Sequence, residues 1–387
     1  MKTLKNNNNE RNYGIDALRI IATLMVVTLH ILSQGGVLGN VQNLTIKGEF
    51  FWGVQAACFC SVNCFALISG YVGLKSKHKS SSLILIWGQL FFYGTLFFCV
   101  DCFINKEFTI KGLLGVLFPI ITKQNWYISA YWYAFFFMPI LNYLINNLSK
   151  DYLKKICFII VILFSVVDFV FENIVLGVQA GYSFIWIAVL YFFGAYIAKY
   201  DPLKKWKKRY CILGWIVCTF LTILCRLGLE LLSLRFLGEV AYETKPYSYI
   251  SPLILASAFF LLNFFIKMKI NGFLKKVVAF LSPMTLGVFL IHTSPIIYRK
   301  LLFNCMEQFV GNNFFVLLGV VIVAVLAVYL ICSIIDFIRI WIFKGLRIQI
   351  LLKCIQSKVE CIINKILKID SKEATEEKID VNNRSKE

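Results

Sequence analysis

The sequence predicts an all-α, polytopic membrane helical bundle of about ten transmembrane helices, followed by a basic amphipathic helix. Three observations carry this. The 387 residues are 59% hydrophobic and only 16% charged, with a mean hydropathy of +0.73, too apolar for a soluble globule of this size. The apolar residues are gathered into windows near the ~20 residues a helix needs to cross a bilayer. The net charge of +19 collects in alternate loops, as loop-charge asymmetry requires, so the partner it implies is the lipid bilayer, with no nucleic acid.

In chain order, residues 1 to 14 are polar and read as a cytoplasmic segment, with the Asn run at 6 to 9 unstructured. The next apolar run is long enough to remain as a span, so no cleavable leader is expected. Windows follow at 15–33, 50–74, 81–103, 126–145, 156–171, 183–199, 210–232, 249–266, 278–297 and 314–343, forming one membrane domain over 15–343. The fifth window is short and the last long, so their limits are the least defined. The stretch 104–124, with Lys106, Glu107, Lys111 and Pro119, is too polar to span and reads as an outside loop with a short interfacial segment that covers a cavity. Loops at 75–79, 150–155, 199–209 and 267–276 are basic, which places them and both termini in the cytoplasm. Residues 344–369 alternate Ile and Leu with Arg347, Lys353, Lys358 and Lys365 at helical spacing, suiting a basic helix on the inner leaflet, and 370–387 is a polar, disordered tail.

Against this apolar background a few polar residues need a reason. Arg19 and His30 lie on the first span, eleven residues and about three turns apart, so they share one face at a separation of roughly 16 Å. Ionisable residues at such depth usually face a polar cavity. An imidazole, with its ordinary pKa of ~6.5, suits removal of a proton from an attacking hydroxyl, and an Arg nearer the inner face suits an anionic or carbonyl-rich ligand. The bland alternatives are a snorkelling Arg and a buried packing His. Asp16, three residues before Arg19, is placed to pair with it.

Elsewhere, Asn63 and Ser69 are polar positions on the second span, where Gly70 permits close helix approach. Trp126 and Tyr127 open the fourth span within an aromatic cluster that serves as an interfacial belt or as a sugar-stacking platform. His292 on the ninth span orients His30, binds substrate or packs. Arg226 and Glu230 are spaced to neutralise one another, and Asp168 and Glu172 read as interfacial. The thirteen cysteines lie mostly inside apolar spans as packing residues, and with no Cys/His cluster at ligand spacing no metal is expected.

Taken together, Ile15-Asp16-x-Leu18-Arg19 with His30 following, Phe65-Ala66-Leu67-Ile68-Ser69-Gly70-Tyr71, Trp126-Tyr127-Ile128-Ser129-Ala130-Tyr131 leading to Pro139-Ile140-Leu141-Asn142, and Leu286-Gly287-Val288-Phe289-Leu290-Ile291-His292 resemble the acyltransferase-3 family of integral membrane O-acyltransferases. The resemblance spans roughly residues 11 to 343. It implies a ten-helix core that takes an acyl group, commonly acetyl, from acyl-CoA as donor substrate, with no bound cofactor, and delivers it to a glycan or lipid-linked sugar. It also implies that Arg19 and His30 match an Arg and a His required in the family. Many members carry an Arg-x-x-Arg pair after the second span. Here Lys75, Lys77 and Lys79 take that place, as donor-phosphate ligands or as an ordinary inside-positive loop.

The expectation is a multi-pass O-acyltransferase of a bacterial cytoplasmic or inner membrane, acting on a cell-surface or secreted polysaccharide. His30 would be general base and Arg19 would position the donor, with Asp16, Asn63, Ser69, Trp126, Tyr127 and His292 as substrate-binding candidates. The rivals are a transporter or flippase for a sugar lipid, which uses the same cavity without chemistry, and a catalytically dead partner module.

Overall fold

A computed structural model of the protein describes residues 11–75, 81–171 and 176–366. Lys77, Lys79, Glu172 and the stretches 6–9 and 370–387 lie outside the described residues. Within them every ordered element is helical. The helices are α1 (Tyr13–Ser33), α2 (Ile46–Gly73), α3 (Ser81–Asn105), the short α4 (Ile110–Leu117), α5 (Trp126–Asn147) and α6 (Lys150–Ile160). There follow α7 (Phe184–Tyr200), α8 (Lys208–Leu237), α9 (Pro252–Ile266), α10 (Gly272–His292), α11 (Phe314–Gly345) and α12 (Ile348–Ile366).

Seven of these, α1 with its short extension to Asn40, α2, α3, α5, α8, α10 and α11, are long and apolar enough to cross a membrane, while α7 and α9 are shorter apolar helices. The protein is therefore a polytopic helical bundle. The window expected at 156–171 falls on α6 and its continuation, a π-helical stretch Val161–Val167 ending in the turn Asp168–Phe171. Asp168, in that turn, is 5% exposed, and its Oδ1 has no hydrogen-bond partner.

Burial sorts the helices. The apolar window of α1 is 72% buried and that of α2 78%, against 17% for α8 and α11, so α1 and α2 lie at the centre and α8 and α11 at the periphery. Around α1 pack α2, α9, α10 and α11. Its start is set by Asn12, whose side chain accepts from the Gly14 and Ile15 N–H groups (2.9 and 3.3 Å), with Asp16 in the first turn favoured by the helix dipole. It ends where Gly36 adopts φ +86°. Helices α2 and α7 cross most closely: a Cβ on Gly70 would meet the Tyr191 carbonyl, and one on Gly194 the Leu67 carbonyl.

The basic loops converge on one end of the bundle. Asn12 donates to the Ile266 carbonyl (3.4 Å), Lys267 to Leu203 (2.8 Å) and Lys199 to Ile145 (2.5 Å). At the opposite end residues 294–306 fold back over the end of α1, with Asn304 N–H bonded to the Gln34 carbonyl and Met306 N–H to that of Gly35 (both 2.9 Å). Helix α12 packs on α3, Leu352 filling the space left by Gly88.

Candidate active site

A cavity of about 560 Å³ runs inside the bundle and is lined by both Arg19 and His30. The two are thus exposed to one space that reaches through three turns of α1. Its walls also carry Ser69, Trp126, Tyr127, Tyr131, Tyr249, Tyr298 and Arg299.

At the Arg19 end, Asp16 is 2% exposed and acts as the anchor. Its carboxylate accepts from Arg19 Nη1 (2.6 Å), Arg11 Nε (2.5 Å) and the Ser282 hydroxyl (3.2 Å). Asp16 therefore does not line the cavity as a ligand-binding residue; it holds Arg19, whose side chain stays 32% exposed and keeps guanidinium donors for the cavity. Ser69 donates to the Phe65 carbonyl (3.1 Å), on the wall where Tyr131 also stands.

At the other end His30 Nδ1 lies 3.0 Å from His292 Nε2, and His292 Nδ1 lies 2.6 Å from the Val288 carbonyl. A carbonyl oxygen only accepts, so His292 Nδ1 carries the hydrogen and, in the neutral ring, Nε2 is an acceptor. His30 Nδ1 must then be the donor, which leaves the His30 Nε2 lone pair as the free one. The chain of bonds settles the tautomer and makes Nε2 the basic atom. Both rings sit in the last turn of their helices, α1 and α10, near the negative ends of the helix dipoles. Tyr298 packs its ring edge-on to His30 at 5.0 Å between centroids, and its carbonyl accepts from Gln34 Nε2 (3.2 Å).

His292 is fully buried behind His30 and does not reach the cavity; the substrate-binding role considered for it gives way to that of a positioning residue. Asn63 is corrected as well. It is fully buried and not in the cavity wall, its Nδ2 donating to the Tyr249 carbonyl (2.8 Å) and its Oδ1 accepting from Trp186 Nε1 (3.1 Å), so it braces the bundle and does not face a ligand. Lys75 is exposed outside the cavity, while Lys77 and Lys79 lie beyond the described residues. Trp126 and Tyr127 do line it. Trp126 stacks on Tyr249 at 5.8 Å and meets Tyr182 at 4.5 Å, while Tyr127 contacts Phe65 and Phe289.

Several wall residues escaped the sequence reading, chief among them Asn125. Its Oδ1 caps α5 by accepting from Ile128 N–H (3.4 Å), and its Nδ2 donates to Thr293 Oγ1 (3.2 Å), next to His292. An Asn ahead of a helical run is a capping signal, but it carries no hint of the partner just past the end of α10.

A second buried polar cluster lies away from the cavity wall. Arg226, fully buried, bonds Glu49 (2.6 Å), faces Glu230 at 3.0 Å and lies over the Trp52 ring at 4.5 Å. The expected Arg226 and Glu230 pair is thus a triad with Glu49.

No curated protein and no solved structure matches the chain. A family model described as an acyltransferase domain matches residues 12–335, the segment that supplies every cavity residue named above. By that match the chain belongs to the acyltransferase-3 family and is a membrane acyltransferase.

Proposed function

We propose that the protein transfers an acyl group from acyl-CoA to a hydroxyl of a cell-surface or secreted glycan, free or lipid-linked. The observation that carries this reading is the fixed tautomer of His30: a free Nε2 lone pair facing a cavity that also contains Arg19 and a wall of aromatic rings.

His30 Nε2 takes the proton of the acceptor hydroxyl as its oxygen attacks the thioester carbonyl. The imidazolium that forms keeps its Nδ1–H on His292 and lies at two helix C-termini, which offset part of the cost of placing a charge there. When the C–S bond breaks, the proton on Nε2 passes to the departing sulfur and CoA leaves as the thiol. No group of the enzyme needs to carry the acyl chain. Arg19, braced by Asp16, holds the donor through phosphate or amide oxygens. Trp126 and Tyr249 offer ring faces for a sugar.

The convergence of basic loops at the Arg19 end supports a cytoplasmic placement of that end and of both termini, in a bacterial cytoplasmic or inner membrane. Donor then enters from the cytosol and acceptor from the His30 end. Mass spectrometry of surface glycans from cells with and without the gene tests the reading, together with CoA release from membranes. We expect acyl groups to be missing without the gene and CoA release to need acceptor. Movement of a sugar lipid with no acyl-CoA consumed would replace this reading with a flippase.

A further inference from the structure

Beside the main cavity lies a smaller one of about 160 Å³, and the two share Gln124, Asn125, Thr293 and Pro295 as a common wall. Their junction is the Asn125 to Thr293 hydrogen bond (3.2 Å), one residue from His292 and so beside the reacting centre. Past the junction the side cavity is walled largely by Leu90, Phe97, Phe98, Val116, Leu290 and Ile296, from α3, α4, α10 and the segment after α10. The interfacial helix α4 covers it through Val116, which is 4% exposed.

We infer that this side cavity holds the acyl chain of the donor, and that the group transferred is a short, saturated chain longer than acetyl. The inference rests on the acyl-CoA reading and adds the substrate it prefers. A thioester carbonyl placed for attack beside His30 needs its two substituents to leave in different directions. The thioester arm runs back towards Arg19 through the main cavity, and the acyl chain turns past Asn125 and Thr293. An acetyl group would leave the side cavity unfilled. The space is too small for the long hydrocarbon of a lipid-linked sugar, which makes the donor the occupant. Among the described residues the lining holds no cation, and its one carboxylate, Asp101, is tied to Lys300 at 3.5 Å, so a chain that ends in a carboxylate finds no partner in this wall. Transfer itself is unchanged: the hydroxyl oxygen bonds to the acyl carbon, the C–S bond breaks and the proton goes to sulfur.

Gly94 provides the test. It lines the side cavity, and a Cβ there would lie 3.8 Å from Gln124 and Val116, an ordinary contact. A larger side chain therefore enters the space without a clash at its root, and replacing glycine inside a helix favours the helix. CoA release would be measured in membranes of the protein's own cells with acetyl-, propionyl-, butyryl- and succinyl-CoA, against background from His30→Ala membranes. In the wild type, kcat/KM should rise about fourfold per methylene from acetyl to butyryl, with succinyl-CoA poorest. Gly94→Leu should lower the butyryl-to-acetyl ratio at least tenfold, and Val116→Ala should move the preference to longer chains. Gly319→Leu, on α11 with open space around it, should leave the ratio as it is. Wild-type preference for acetyl-CoA, or a ratio unmoved in both Gly94→Leu and Val116→Ala, overturns the inference while the acyltransferase reading stands. Release from none of the four removes the acyl-CoA reading and this inference with it.

Discussion

Two buried polar clusters in this molecule look alike along the chain and differ in what they leave free. Around His30 and His292, each hydrogen is committed in one direction, from His30 to His292 to the Val288 carbonyl, and one lone pair is left facing a cavity. Around Arg226 the guanidinium is shut beneath Trp52 between two carboxylates, with no place among the cavity-lining residues. Ionisable residues within apolar spans are functional candidates by default. What separates a reacting group from a brace is a free valence with space in front of it.

The largest effect should come from the reacting cluster. His30→Ala removes the base and should lower the acylation rate by about 10² to 10⁴, with membrane insertion and thermal stability close to wild type, because Ala is the easier residue to insert. Acylated glycan per unit of folded protein measures it, and wild-type acylation in this variant would end the assignment of His30. The Arg226 cluster should answer in the other currency. Arg226→Met leaves Glu49 and Glu230 facing each other without their cation, and breaking a buried pair in this way costs about 3–5 kcal/mol. A thermal-unfolding series in detergent should show that loss. Protein that does fold should keep its dependence on acyl-CoA concentration. Unchanged stability with a changed KM would place Arg226 in the site and erase the contrast.

The sequence made one half of each cluster legible. Arg19 and His30 share a face because both lie on one helix, where spacing alone determines direction. Arg226 and Glu230 are readable for the same reason. The distant partners differ: His292, 262 residues from His30, was readable only as one of three roles, orienting His30, binding substrate or packing, and Glu49, 177 from Arg226, was not readable, because only the packed bundle brings such pairs together. Asn63 was misread because its burial and its bonds to Tyr249 and Trp186 are tertiary facts, and polarity in a span reads the same whether the side chain faces a cavity or a neighbouring helix. The helical bundle itself was legible because bilayer thickness dictates the length of each apolar run. Three runs depart from this pattern: 183–199 and 249–266 form the shorter apolar helices α7 and α9, and 156–171 is wound partly as a π-helix.

Arg19 lies between the two cases, half brace and half binding group. Asp16 takes one edge of its guanidinium and the cavity receives the rest. Arg19→Lys keeps the charge yet cannot serve both, since an ammonium is a point charge and not a fork. Most activity should be lost, roughly tenfold or more, chiefly through a higher KM for acyl-CoA in a CoA-release assay. Full activity in the Lys variant would reduce Arg19 to an interfacial anchor and leave the cavity with one reactive end.

The last contrast separates positioning from reaction within a single cluster. His292 touches His30 and not the cavity, so His292→Ala should cost less than His30→Ala, on the order of 10- to 100-fold, as expected of a partner that orients a reactive imidazole. Water can take part of its place in a polar setting, but it does not hold the ring in one tautomer. The loss should therefore fall on kcat and leave KM for acyl-CoA nearly unchanged. His292→Gln distinguishes this from a packing role. A Gln carbonyl oxygen can accept the His30 Nδ1–H as Nε2 does now, so that variant should recover a substantial part of the rate even though the ring is gone. Were His292 only a filler of the core, Ala and Gln would both act through stability, and the rate per folded molecule would stay at the wild-type value in each.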